Sequence, residues 1–241
     1  IEREYKALKI AEEKIKRIPN GVHLERFQKN SQVAPFRKKI TGSSDKPFTF
    51  LFVGRNHPKK GLDVLIKAAC LIQDRGEHKV KLNLIGRGVE DLAKVVERYN
   101  LSSAISLIPQ LNEEGDNPLH PSENLLGYFL SADAFVLPSY VESFGIVLLE
   151  AMAAGLPIIT TDAPGCRDVI REGHDGIMVP RGNPAELASA MNSLITDPDL
   201  CEQLSERSLI RVKSFDWKKV ADDYIRIYEE LSRHAEAQNR R

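Results

Sequence analysis

The 241-residue sequence has no surplus of charge, since 34 basic residues meet 34 acidic ones. A chain without net charge sets up no long-range field toward nucleic acid or an acidic membrane surface, so nucleic acid is not an expected partner and any anion site must be local. Cysteine is scarce. Cys70, Cys166 and Cys201 stand far apart and form no C-x-x-C pair, which sets aside the usual zinc and dithiol spacings and leaves reduced thiols as the expectation. No apolar run approaches the ~20 residues that span a bilayer, and the opening stretch, IEREYKALKI, lacks the apolar core of a signal peptide. A cytoplasmic location is expected. Repeats and low-complexity tracts are also missing. The chain opens without methionine in a charged, helix-like stretch, which points to a piece of something longer.

Short apolar runs alternating with amphipathic stretches are what the sequence does have. Residues 1–18 place Tyr5, Leu8, Ala11 and Ile15 at helical spacing before the turn Pro19-Asn20-Gly21, so an entry helix is expected there, followed by an extended piece. Residues 28–47 read as an exposed loop. From Phe48 the pattern is that of successive βαβ units, with strands expected at 48–53, 80–85, 104–108, 134–137, 157–160 and 177–179. Helices fit 61–75, 89–99, 122–131, 145–154, 165–172 and 184–196. The fold class is therefore α/β, a Rossmann-like parallel sheet with helices on both faces. Residues 111–121, LNEEGDNPLHP, are too polar and turn-rich for either element and read as a long surface loop. Trp217, Val220, Ala221, Tyr224, Ile225, Tyr228 and Leu231 form one apolar stripe of a carboxyl-terminal helix.

Ligands of open parallel sheets collect beyond the carboxyl ends of the strands. The unusual local sequences fall there: Gly54-Arg55, Gly86-Arg87-Gly88, and Pro138-Ser139 running to Gly145. In PSYVESFGIVLLEAMAAGLPIIT a loop carrying Glu142 and Ser143 feeds a helix that starts near Gly145 and carries Glu150. A helix amino terminus offers unpaired N–H groups, and glycine lets a phosphate approach the backbone. Glu150, more than a turn into that helix, suits a pair of vicinal hydroxyls such as those of a ribose, and Glu142 can face a sugar. In VGRNHPKKGLDVLIKA, Arg55 offers a planar fork and Lys60 a point charge, a pair suited to a diphosphate.

These residues carry a resemblance. Glu142 and Glu150 form an E-x7-E pair within P-S-x-x-E-S-F-G-x-x-x-L-E-A-M-A-x-G-x-P, and residues 54–61 read G-R-x-x-x-x-K-G. With IPNGVHLERF at 18–27, GHDGIMVPRGNPAELASAM, and the closing FDWKKVADDYIRIYEEL, the chain resembles family 4 retaining glycosyltransferases of the GT-B fold from about residue 15 to 231. The resemblance implies a nucleoside-diphosphate sugar, UDP- or GDP-linked, transferred with retention of configuration and without a metal or other cofactor. By the same resemblance Arg55 and Lys60 hold the diphosphate together with backbone groups of Phe144, Gly145, Ile146 and Val147. Glu150 holds the ribose, and Glu142, beside Ser143, contacts the sugar. The nucleobase lies against backbone at Ile108, Pro109 and Gln110, while Gly54 and Gly86 allow close approach. Residues 1–27 become an entry helix and interdomain linker, 28–215 the donor-binding domain, and 216–241 a helix crossing toward an absent amino-terminal acceptor domain. The chain alone is then expected to be inactive, and its exposed stripe to favour homodimerisation. In the full-length enzyme the basic cluster Arg37, Lys38, Lys39 is placed to approach a membrane-bound acceptor, giving peripheral membrane association.

Two departures stand out, the absent acceptor half and the long 111–121 loop. Two other readings share the architecture: a non-catalytic nucleotide-sugar binding module, and a GT-B-type nucleotide-sugar epimerase, against which the G-R-x-x-x-x-K-G and E-A-M-A-x-G-x-P strings argue. Gly86-x-Gly88 serves equally as a simple strand-to-helix turn or as a ligand contact. Asp197-Pro198-Asp199 has the D-x-D form of metal-dependent transferases, but between helices it reads as a cap and turn. His57 reads as an incidental neighbour of the phosphate turn.

Overall fold

The computed structural model describes Ala11 and residues 15–28, 46–76, 78–111 and 121–239. Helix α1 (Leu24–Gln28) precedes β1 (Phe48–Val53), a 3-10 turn (Pro58–Lys60), α2 (Leu62–Arg75) and β2 (Val80–Ile85). A second 3-10 turn (Val89–Leu92), α3 (Ala93–Arg98), β3 (Ile105–Ile108), α4 (Glu123–Ser131) and β4 (Ala134–Leu137) follow. The chain continues through α5 (Ile146–Ala153), β5 (Ile158–Thr161), α6 (Pro164–Val169), β6 (Ile177–Val179), α7 (Pro184–Thr196), α8 (Pro198–Val212), a third 3-10 turn and α9 (Trp217–Asn239).

The six strands form one sheet in the order β3-β2-β1-β4-β5-β6, every neighbouring pair parallel. Strands of such a sheet are covered on both faces, which is why they are continuous apolar runs rather than alternating ones. Phe50, Leu51 and Phe52 of β1 and all four residues of β4 are fully buried. Chain order reverses between β1 and β4, and the loops from these two strands part there to open a crevice.

Helix ends follow their local chemistry. Asn183 Oδ1 accepts from the amides of Ala185 and Glu186 ahead of Pro184 at the start of α7. Ser122 Oγ accepts from Leu125 N to open α4, and Asp197 Oδ1 from Leu200 N to open α8. The D-x-D string is thus a helix cap with Pro198 in the first turn.

The entry segment departs from expectation only over the part of it that is described. Of residues 1–18, Ala11 and 15–18 are described and carry no helix; the remainder lies outside the described residues. Pro19 biases its predecessor away from helical geometry. The chain instead runs past Gly21 to pair Val22 with Asp216, with Val22 N donating to Phe215 O at 2.8 Å and Trp217 N to Val22 O at 3.2 Å. A Cβ on Gly21 would lie 2.6 Å from the Trp217 ring, so glycine is what lets the two ends meet. Residues 112–120 and the basic cluster Arg37, Lys38, Lys39 lie outside the described residues, while Leu111 and Pro121, flanking the former, are half-buried and buried. Cys166 and Cys201 are buried, Cys70 is partly exposed, and all three are unbridged.

Candidate nucleotide-sugar cleft

A cleft of ≈ 610 Å³ opens over the carboxyl ends of β1, β2 and β4. The backbone of its floor is laced together. Gly86 sits at φ 143°, and a Cβ there would also meet Gly54 O at 2.3 Å, so both the backbone angle and the close approach of the β1 and β2 loops require the glycine. Asn56 N donates to Arg87 O at 2.8 Å and Asn56 Nδ2 to Gly88 O at 2.9 Å, pinning the same two loops. Gly61, at φ 67°, packs on Pro138, where a Cβ would fall 2.0 Å from its carbonyl.

That packing brings Lys60 to Glu142. His57 Nδ1 accepts from Lys59 N and caps the short turn that presents Lys60, so His57 shapes the turn without lining the cleft. Tyr140 N donates to Lys59 O at 2.8 Å, tying the turn to the loop after β4. Lys60 Nζ then lies 2.6 Å from Glu142 Oε2, in a pair that retains only 20% and 12% side-chain exposure. Glu142 is further held by Ser143 N at 3.2 Å and Ser139 Oγ at 3.5 Å. Beneath this loop Gly165 leaves no room: a Cβ would sit 2.5 Å from Glu142 O and 2.7 Å from Phe144 N.

Gly145, at φ 77°, opens α5 with no side-chain cap. Among the described residues nothing accepts from the amides of Ile146 and Val147, which face the cleft as an exposed positive helix end. Glu150 lies further along the same helix, half-buried at the back of the cleft. Its carboxylate has no hydrogen-bond partner among the described residues, and burial pushes its pKa up to about 7. Arg55 and Arg87 have no carboxylate partner among the described residues. The cleft thus gathers three cations, Arg55, Lys60 and Arg87, with the two carboxylates Glu142 and Glu150.

Of the residues singled out in the sequence, Gly54, Arg55, Lys60, Gly86, Gln110, Glu142, Ser143, Phe144, Gly145, Ile146, Val147 and Glu150 share this cleft. Ile108 and Pro109 do not line it; the Ile108 carbonyl accepts from Gly86 N at 3.0 Å and is used within the sheet. Asn20, Arg87, Leu111 and Leu125 line the cleft without having been assigned a role from sequence. Arg87 carried a signal, its place in a glycine-flanked turn at a strand end, whereas Leu125 carried none.

Residues 34–211 match the family model described as glycosyl transferases group 1. The chain is 31% identical over 223 residues to a D-inositol 3-phosphate glycosyltransferase of Streptomyces bingchenggensis, covering 88% of this chain and 47% of that protein. It is 33% identical over 217 residues to a phosphatidyl-myo-inositol mannosyltransferase of Mycobacterium leprae, covering 89% and 53%. The chain thus spans about half the length of the curated relatives it matches. Among solved structures it is similar to the sucrose-phosphate synthase of Thermosynechococcus elongatus, with TM-score 0.73 and 26% identity over 97% of this chain and 57% of that one. It also shares its fold with Anabaena HepE, solved in complex with UDP-glucose, at TM-score 0.71 and 22% identity over 90% and 57%.

Proposed function

Because this chain belongs to the group 1 glycosyl transferase family, we propose that its cleft binds a nucleoside-diphosphate sugar as glycosyl donor. Transfer then proceeds with retention of configuration and without a divalent metal. The observation that carries the reading is the convergence of Lys60, Arg55 and the open amides of Ile146 and Val147 on one space beside Glu142.

In this reading the bond from the anomeric carbon to the β-phosphate oxygen breaks with its electron pair staying on the diphosphate, while the anomeric carbon bonds the oxygen of an acceptor hydroxyl whose proton passes to the departing diphosphate. Lys60, Arg55 and the α5 amides hold that growing negative charge. Being fixed before the reaction, they stabilise it without reorganisation, the role a divalent ion takes in other transferases. Lys60 is paired to Glu142 in the structure, so donor binding exchanges a carboxylate for a phosphate on the ammonium and releases Glu142 toward the sugar. Glu150, unpartnered and poised near neutrality, accepts from the ribose hydroxyls. HepE, with the same fold, has been solved with UDP-glucose, which supports a donor of this class.

Calorimetry with UDP, GDP and ADP, with and without magnesium, tests the reading. One of the three is expected to bind equally well without magnesium, and Lys60→Ala and Glu150→Ala each to weaken it about tenfold or more. Binding that demands magnesium, or that both variants leave intact, would sink it.

A further inference from the structure

Phe215 ends the 3-10 turn Lys213–Phe215 that joins α8 to α9, and it meets three parts of the molecule at once. Its ring and that of Phe144 meet edge to face, with centroids 6.2 Å apart and planes at 70°. The Arg211 guanidinium lies over the Phe215 ring, 4.8 Å from its centroid. The Phe215 carbonyl accepts from Val22 N at 2.8 Å, in the pairing that ties the entry segment to the start of α9. Phe215 is buried and does not itself line the cleft.

Each of these contacts is anchored. Arg211 Nε, buried and without a hydrogen bond, lies 3.8 Å from Asp175 Oδ2. Asp175 has no exposed surface, and Arg171 donates to both its oxygens at 2.7 Å. A cation is drawn to an aromatic face more strongly where water is excluded, so Arg211 fixes the ring. Phe144 is closed in from below, since a Cβ on Gly165 would sit 2.7 Å from its amide, and its side chain is what Phe215 grips. Phe144 immediately precedes Gly145 and the open amides of Ile146 and Val147, so a shift of Phe215 passes to the α5 amino terminus. On the other side, Asn20 lines the cleft two residues before Val22. The entry segment therefore touches both the cleft and Phe215.

We propose that Phe215 is a positioning residue for the donor, coupling the joint of entry segment and α9 to the α5 amino terminus, so that donor binding and the joint tighten together. The inference rests on the donor-binding reading above. Such coupling acts in both directions. Whatever steadies the joint strengthens donor binding, and a bound diphosphate, by fixing Phe144 and Gly145, steadies the joint. The edge-to-face geometry is what an aromatic ring supplies; leucine fills the space with apolar surface but has no ring edge. The chain carries its own reporter. Trp217, its sole tryptophan, is half-buried in the joint against Gly21 and does not line the cleft.

The test pairs calorimetry with Trp217 fluorescence on the full chain, using whichever of UDP, GDP and ADP binds. The native chain is expected to change its Trp217 emission on binding. Phe215→Leu is expected to bind about threefold to tenfold more weakly and, at saturation, to leave the emission unmoved. Ile72→Val, a core change at the far end of α2 from the cleft, should keep both affinity and response, which separates positioning from a general loss of stability. If Phe215→Leu does not fold, Arg211→Met, which strips the cation from the ring, is read by the same two measures. Native binding without an emission change overturns the proposal, as does a full response or an unchanged affinity in the folded variant, and each leaves donor binding standing. Failure of the native chain to bind any of the three nucleotides would remove both readings together.

Discussion

At the scale of single residues, the cleft joins groups whose ionisation and packing are linked. Glu150 is held near neutrality by burial alone, its value pushed from 4.5 to about 7. A carboxyl group raised in the folded state contributes stability that is fully present below its unfolded value and lost as pH rises through the folded one. Glu150→Gln is therefore expected to be more stable than the native chain at pH 8, by at most ~3 kcal/mol and less where cleft water screens the charge, and no more stable at pH 4. Urea unfolding at the two pH values measures this. Nucleotide affinity should move the other way, falling as pH drops below about 7, because ribose hydroxyls donate to the ionised form. Lys60 and Glu142 form the second linked pair. Lys60→Ala strands a carboxylate that is 12% exposed, with an expected cost of ~1–3 kcal/mol, and Lys60→Ala with Glu142→Ala should recover part of it. Additive losses in that double-mutant cycle would mean the two side chains do not interact in solution.

At the scale of elements, the loop after β4 is shaped from below by α6. A methyl at position 165 would meet only backbone, the carbonyl of Glu142 and the amide of Phe144, so relief requires moving the Glu142 loop itself. Gly165→Ala is expected to cost ~1–3 kcal/mol and to weaken nucleotide binding, although residue 165 does not line the cleft. Unchanged calorimetric affinity in a folded variant would show that the loop adjusts freely. This support was invisible in the sequence, because it joins residues of different strands' loops whose contact only the sheet order creates. The strands themselves were legible: 48–53, 80–85, 134–137 and 177–179 were placed to the residue, since buried parallel strands are short apolar runs bounded by turns. Boundaries slipped where the local signal was ambiguous. The helix read over 89–99 divides into a 3-10 turn and α3, and the one read over 165–172 begins at Pro164 and stops at Val169, where Ile170 turns extended. α8 has no clear bounds in the sequence, because its buried face, Cys201, Leu204, Ser208 and Val212, is narrow and part polar.

At the scale of the whole molecule, the sheet order gathers the charged residues named for the donor around the reversal between β1 and β4, Arg55 and Lys60 following β1 and Glu142 and Glu150 following β4. Position at strand ends makes Arg55 and Lys60 readable in the sequence and the string around Gly145 makes Glu142 and Glu150 so, while Leu125 depends on which way the cleft extends. The opposite end of the chain carries another feature. On α9, Val220 is buried but Tyr224, Ile225, Tyr228 and Leu231 are 43–66% exposed, so the apolar stripe is packed at its start and uncovered beyond it. The chain alone is expected to self-associate through that stripe, and Tyr228→Glu with Leu231→Glu to render it monomeric in sedimentation without altering nucleotide affinity. A native chain that remains monomeric at high concentration would contradict this. No helix among the described residues is long and apolar enough to cross a membrane.

The central claim concerns where the donor lies, and mapping backbone amide shifts while titrating UDP and GDP into the isotopically labelled chain tests it most directly. The expected result is a continuous track of perturbed amides through residues 54–61, 86–88, 110–111 and 144–150, with the turn after β6 silent. Perturbations centred beyond β5 and β6, or scattered with no track across the β1–β4 reversal, would contradict it.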